Sequence, residues 1–241
     1  MKNTLFLLFV LVSVASYGQW PWEKIDGNGH IIKETRKVPD YTGVSSSGSW
    51  DVMIAYGESD AIQVEGDENL LPYIETTVKD GQLEIRSRKN VNLRSTKKIT
   101  VYVSLTRMTG VHLSGSGDII GEGKFENAGT TVFRVSGSGS IRIDLNKIGN
   151  AEIAVSGSGN VRLSGSAASV SARISGSGNA DCSKLICDEA RAQISGSGNI
   201  KLNANKSVDA QISGSGNVTY RGVAADIKKH VSGSGKVSRE S

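Results

Sequence analysis

Val155-Ser156-Gly157-Ser158-Gly159-Asn160-Val161 and Ile194-Ser195-Gly196-Ser197-Gly198-Asn199-Ile200 are two copies of one heptapeptide, and its recurrence decides the fold. The core tetrapeptide Ser-Gly-Ser-Gly begins at Ser114, Ser136, Ser156, Ser175, Ser195, Ser213 and Ser232, in steps of 22, 20, 19, 20, 18 and 19 residues. A degenerate copy, Ser164-Gly165-Ser166-Ala167, falls inside one period. An aliphatic residue precedes every copy, from Leu113 and Val135 to Ile212 and Val231. Beyond the last glycine, apolar residues stand two and four places on, as in Ile141 and Ile143, Val161 and Leu163, Ile200 and Leu202. Alternation at period two marks strands with one buried face. A single strand–corner–strand unit cannot bury that face alone, whereas copies stacked one per coil make a continuous core. No segment between the copies has helical periodicity, which removes helical crossovers. The reading is an all-β fold: a right-handed parallel β-helix (a solenoid) with coils of about 20 residues, and a less regular N-terminal half containing antiparallel hairpins.

The corner chemistry agrees with stacking. Glycine reaches backbone conformations closed to other residues and lets neighbouring coils approach closely. Serine hydroxyls both donate and accept along a column. The residue after the tetrapeptide is Asn160, Asn179, Asn199 and Asn217 in four successive copies, which predicts a structural amide ladder of the kind that stabilises in-register strands. The last copy breaks the columns with Lys229, Lys236 and Arg239. Residues 228–241 therefore read as a C-terminal cap whose charges block edge-to-edge pairing.

Upstream the chain alternates without repeating. Residues 76–79 and 82–85 flank Asp80-Gly81, a strong hairpin signal. Residues 98–105 alternate cleanly, and Ser45-Ser46-Ser47-Gly48-Ser49 is an early version of the corner. The first residues have the form of a secretory signal: Met1-Lys2-Asn3 as a positive head, an apolar run over 5–14, and small residues in Ala15-Ser16-Tyr17-Gly18. The apolar run is short for a membrane span, and no cysteine follows the expected cleavage before Gln19, which disfavours a lipid anchor. The expected organisation is a signal peptide at 1–18, a lead-in or N-terminal cap at 19–37, one solenoid at 38–237 (irregular over 38–110, regular over 111–237) and a tail at 238–241. The product would be exported to the periplasm, outer-membrane surface or extracellular space, with no transmembrane segment after cleavage. Its net charge would be +3, one lysine fewer than the +4 of the whole chain. So small a charge offers no concentrated basic face for nucleic acid.

The serial motif, following a strand region at 44–56 and the stretch Val64-Glu65-Gly66-Asp67-Glu68-Asn69-Leu70-Leu71, resembles the family called "putative auto-transporter adhesin head GIN domain". The resemblance covers residues 34–237. It implies a β-helical, secreted or cell-surface protein of Bacteroidetes-type bacteria and supplies no catalytic residues to carry over.

The residues themselves point the same way. A glycine-rich phosphate cradle occurs once, between a strand and a helix; here seven copies lie between strands. Calcium-binding glycine-rich repeats need an aspartate in each copy, and only Asp118 stands beside a tetrapeptide. His30, His112 and His230 have no ligand spacing, and a Gly-x-Ser-x-Gly elbow is missing. No catalytic, metal or cofactor-binding residue is expected, and no cofactor. Cys182 and Cys187 read either as a disulfide, which an exporting compartment permits, or as small buried hydrophobes. The exposed repeat edge of Ser, Gly and Asn is the candidate binding surface, for a surface glycan or an envelope protein, with Tyr220, Trp20, Trp22 and Trp50 available for stacking. The bland alternative is that the ladder only holds the coils together. The leading functional reading is a non-enzymatic exported β-solenoid acting in adhesion or binding at the cell envelope. A purely structural envelope protein is second, and a carbohydrate-active enzyme third.

Overall fold

The computed structural model describes residues 22–58 and 60–240. The expected signal peptide, 1–18, and Trp20 lie outside the described residues. Ten short strands come first: β1 (Glu23–Asp26), β2 (Ile31–Lys37), β3 (Gly43–Gly48), β4 (Asp51–Tyr56), β5 (Ala61–Asp67), then, after a single 3-10 turn at Leu71–Tyr73, β6 (Ile74–Lys79), β7 (Gln82–Ser87), β8 (Val91–Arg94), β9 (Thr100–Leu105) and β10 (Gly110–Gly115). Five long bent strands follow, each spanning most of a coil: β11 (Asp118–Gly137), β12 (Ser140–Gly157), β13 (Asn160–Gly176), β14 (Asn179–Gly196) and β15 (Asn199–Gly214). The chain closes with β16 (Asn217–Arg221), β17 (Asp226–Gly233) and β18 (Lys236–Arg239).

The coils stack parallel and in register. Ser114, Ser136, Ser156, Ser175, Ser195, Ser213 and Ser232 pair in succession, so the corners form one column. Each coil has two walls: one leaves a corner, the other enters the next, and register shifts mark the bend between them. Alternate residues of both walls, such as Ile141 and Ile143 on the first and Ile153 and Val155 on the second, point into one continuous core. The corner itself demands glycine. At Gly137 φ is +126°, and a Cβ there would sit 2.5 Å from the carbonyl oxygen of Gly115 in the coil beneath. The tetrapeptide's last glycine is buried against the coil beneath, and at Gly139 a Cβ would overlap the Gly117 carbonyl.

The early corner is a variant of the same device. Ser47 pairs with Ser114, so Trp50 stands where later copies have their last glycine. Ser46 stands where they have an aliphatic residue. The two compensate: the buried Trp50 indole N–H donates to the Ser46 hydroxyl at 2.9 Å.

The N-terminal half departs from chain order. β3 pairs with β7 on one side and β10 on the other, and β4 pairs with β9 and β11. The β3–β4 coil thus lies between two layers that both follow it in sequence. The expected hairpin joins β6 to β7, with Asp80 (φ 51°) and Gly81 (φ 73°) both left-handed, as a type I′ turn requires. The lead-in expected at 19–37 contains two paired strands: β1 runs parallel to β8, and β2 antiparallel to β5. At the other end β17 lies on β15 and β18 on β16. Lys229 and Arg239 hold inward columns but remain exposed. The Lys229 ammonium lies 5.4 Å from the Tyr220 ring centre, and Arg239 donates to the Gly222 carbonyl at 2.7 Å.

Candidate functional site

Strand alternation sends outward the residue two places before each tetrapeptide. Register aligns these residues into one column: Ser45, His112, Arg134, Ala154, Arg173, Gln193, Gln211 and His230. The first serines of the tetrapeptides form the neighbouring column. Between them a groove of about 820 Å³ runs along the stacking axis over the second wall. Its lining repeats at the inter-strand spacing, about 4.8 Å. Arg173 Nε donates to Gln193 Oε1 at 2.8 Å, and Gln193 Nε2 to Gln211 Oε1 at 3.4 Å. Arg134 forms no ion pair among the described residues. Half-buried His112 is held below the ordinary imidazole value by burial first and by the Arg134 charge second, so it is mainly neutral at pH 7. One column further out, Arg191 pairs with Asp209 at 3.3 Å, and Glu152 stands exposed two residues before Ala154 on the same strand.

The asparagines lie across the corner, on the first wall. Asn179 donates to Asn160 at 2.9 Å, Asn199 to Asn179 at 3.0 Å and Asn217 to Asn199 at 3.1 Å. The column continues downward through Ser140 and Asp118 to Asp51. Asp118 accepts from the Ser140 amide at 3.2 Å, Asp51 accepts from the Asp118 amide at 2.9 Å, and Lys98 sits 2.6 Å from Asp51. These side chains bond chiefly to one another.

One expectation needs correction. Trp50 and Tyr220 are 4% and 7% exposed and so cannot stack on a partner. Both hold inward positions of the alternation, Trp50 at a corner and Tyr220 in the column of Leu202. Trp22, at 63%, is exposed. Cys182 and Cys187 are free thiols buried in the core, each packed at its own inward position, so the small-hydrophobe alternative describes them. Burial raises both, Cys187 to about 12. Among the described residues no group of three or more His, Cys, Asp or Glu is arranged to hold a metal ion, and no helix is long and apolar enough to cross a membrane. His112 falls next to the Ser45 end of the groove column and His230 at the other end, whereas His30 is remote and contacts Glu68 at 2.9 Å. The arginine column escaped the sequence reading. Its signal was the same alternation that identified the core, read on the outward positions.

A family model described as "Putative auto-transporter adhesin, head GIN domain" matches residues 40–224. No curated protein matches the chain. Solved structures share the fold. A "putative adhesin" of Bacteroides fragilis aligns with TM-score 0.81 at 22% identity, over 90% of this chain and all of that one. A "putative adhesin" of Parabacteroides merdae gives 0.73 at 22%, over 91% of this chain and all of that one. A "putative lipid binding protein" of Parabacteroides distasonis gives 0.72 at 25%, with the same coverage.

Proposed function

The chain belongs to the "putative auto-transporter adhesin, head GIN domain" family, and from that premise we propose an exported, non-enzymatic protein that binds or adheres at the cell envelope through the groove of its second wall. The observation that carries the reading is the groove's continuity: one lined channel crosses the coils from Ser45 to His230. The asparagine ladder is a poorer candidate, because all four of its amides bond to one another and have less hydrogen-bonding capacity to offer a partner, whereas in the groove column such a chain joins only Arg173, Gln193 and Gln211 among the described residues. The names of the fold relatives, adhesin and lipid binding protein, describe binding rather than turnover. The partner would be a surface glycan or another envelope component.

The test uses the chain from Gln19 onward, labelled and applied to isolated envelopes. Arg134→Glu with Arg173→Glu is expected to abolish retention. Arg142→Glu with Lys201→Glu, an equal charge change on the first wall, is expected to preserve it. Equal retention of both variants, or loss only with the first-wall pair, defeats the groove. A purely structural protein would show no saturable retention, and a carbohydrate-active enzyme would release sugar from the envelopes.

A further inference from the structure

Resting on the reading of the groove as the binding face, we infer that its occupant is a linear acidic polysaccharide lying along the stacking axis, with an acidic group on every second sugar. The groove crosses the strands at right angles and presents the same positions once per coil, about every 4.8 Å. That step is close to the length of one sugar in an extended pyranose chain. Arg134 and Arg173 share a column and are separated by one intervening coil, hence by roughly 9.6 Å. Ala154 stands between them and leaves the space open. No ion pair engages either guanidinium among the described residues, and no Asp or Glu lines the groove. A planar guanidinium meets a carboxylate or sulfate with paired hydrogen bonds, so two of them two coils apart select a charge on alternate units.

The remaining lining fits the neutral parts of such a chain. Serine hydroxyls on one rim can donate to and accept from sugar hydroxyls, and on the other rim Gln193 and Gln211 offer the amide hydrogens and lone pairs that their bonds to Arg173 and to each other leave over. The lining also includes the aliphatic residues that precede the tetrapeptides, from Leu113 to Ile212, an apolar contribution that suits the carbon-bound faces of sugar rings. Among the described residues no Trp, Tyr or Phe lines the groove, so recognition would rest on charge and hydrogen bonds rather than ring stacking. An acyl chain would leave both arginines and the serine row without partners.

The test measures binding of hyaluronan oligosaccharides, which carry one carboxylate per disaccharide, by the chain from Gln19 onward. Neutral chitin oligosaccharides of equal length and anionic phospholipid vesicles run alongside. Hyaluronan is expected to bind, and to bind less as salt rises. Arg134→Gln with Arg173→Gln is expected to weaken it by about tenfold or more. Arg142→Gln with Lys201→Gln should leave it within about twofold, and Glu152→Gln should strengthen it. Ala154→Arg, which places a charge on every step, should shift preference toward polygalacturonate, whose every sugar is acidic. No hyaluronan binding at low salt, or equal binding of the chitin oligosaccharide, overturns the polysaccharide class. If the arginine pair instead controls vesicle binding, the groove stands and the class falls. If hyaluronan binding moves only with Arg142 and Lys201, the groove itself falls. Unchanged thermal midpoints in the variants show that folding is intact.

Discussion

At the residue scale, the strictest requirements are imposed by backbone meeting backbone. Gly178 faces the coil below so closely that a Cβ would overlap the Gly159 carbonyl and a methyl of Val155. Gly178→Ala is expected to cost about 1–3 kcal/mol in denaturant unfolding, while Ser177→Ala, on the exposed side of the same corner, should change stability by less than about 0.5 kcal/mol. Asp67 is the other demanding position. Its buried carboxylate accepts from the Thr96 hydroxyl at 2.6 Å, the Thr96 amide at 2.9 Å and the Gly29 amide at 2.8 Å. Burial alone would raise its pKa, but these donors together hold it below the ordinary carboxylate value. A depressed folded pKa contributes stability that is complete above the unfolded value and fades as pH falls through the folded one. Asp67→Asn should therefore lower stability at pH 7, by about 1–3 kcal/mol, and flatten the loss between neutral pH and pH 3 in a series of urea melts. The corner glycines were legible in the sequence because their spacing repeats. Asp67 was not: its donors come from positions 29 and 96, and neither carries a local signal.

At the scale of elements, the asparagine column and the thiols make separable predictions. Each inner asparagine donates one amide bond and accepts another. Asn179→Ala breaks two exposed bonds and should lose about 1 kcal/mol or less in thermal or denaturant melts. Cys182 and Cys187 should resist iodoacetamide in the native protein at pH 8 and react fully in guanidinium, since a buried thiol with a raised pKa supplies almost no thiolate. Intact mass unchanged by reducing agent would agree; a loss of reactivity in guanidinium without reductant would contradict it. The strands of the regular half were readable from alternation because inward and outward positions keep their phase for seven copies. The same alternation placed Tyr220 inward with Leu202, and reading it as a stacking residue gave its aromatic character more weight than its phase. The groove's arginines occupy outward positions of the alternation, which the sequence displays, but a column becomes a site only when register aligns Arg134 with Arg173 across the intervening Ala154 coil.

At the scale of the molecule, the exposed ends of a stacked sheet invite further pairing. The described C-terminal edge carries Lys228, Lys229 and Lys236. Replacing all three with threonine is expected to produce concentration-dependent oligomers in light scattering, with the parent chain expected to keep a constant mass. The overall architecture could be inferred from the repeat, but the order of the first layers could not, because local periodicity does not record which coil a strand will touch. Regular neighbours are 22 residues apart where Gly110 pairs with Val132, whereas Gly43 pairs with Gly110, 67 residues on. That insertion has a kinetic consequence. A rope laid in sequence seats each turn on the last, but here the first turn must wait, open on both sides, until strands made later arrive to clamp it. Long closures of this kind slow folding. Unravelling begun at the C-terminal end should run freely, turn by turn, and halt where chain order and spatial order part company.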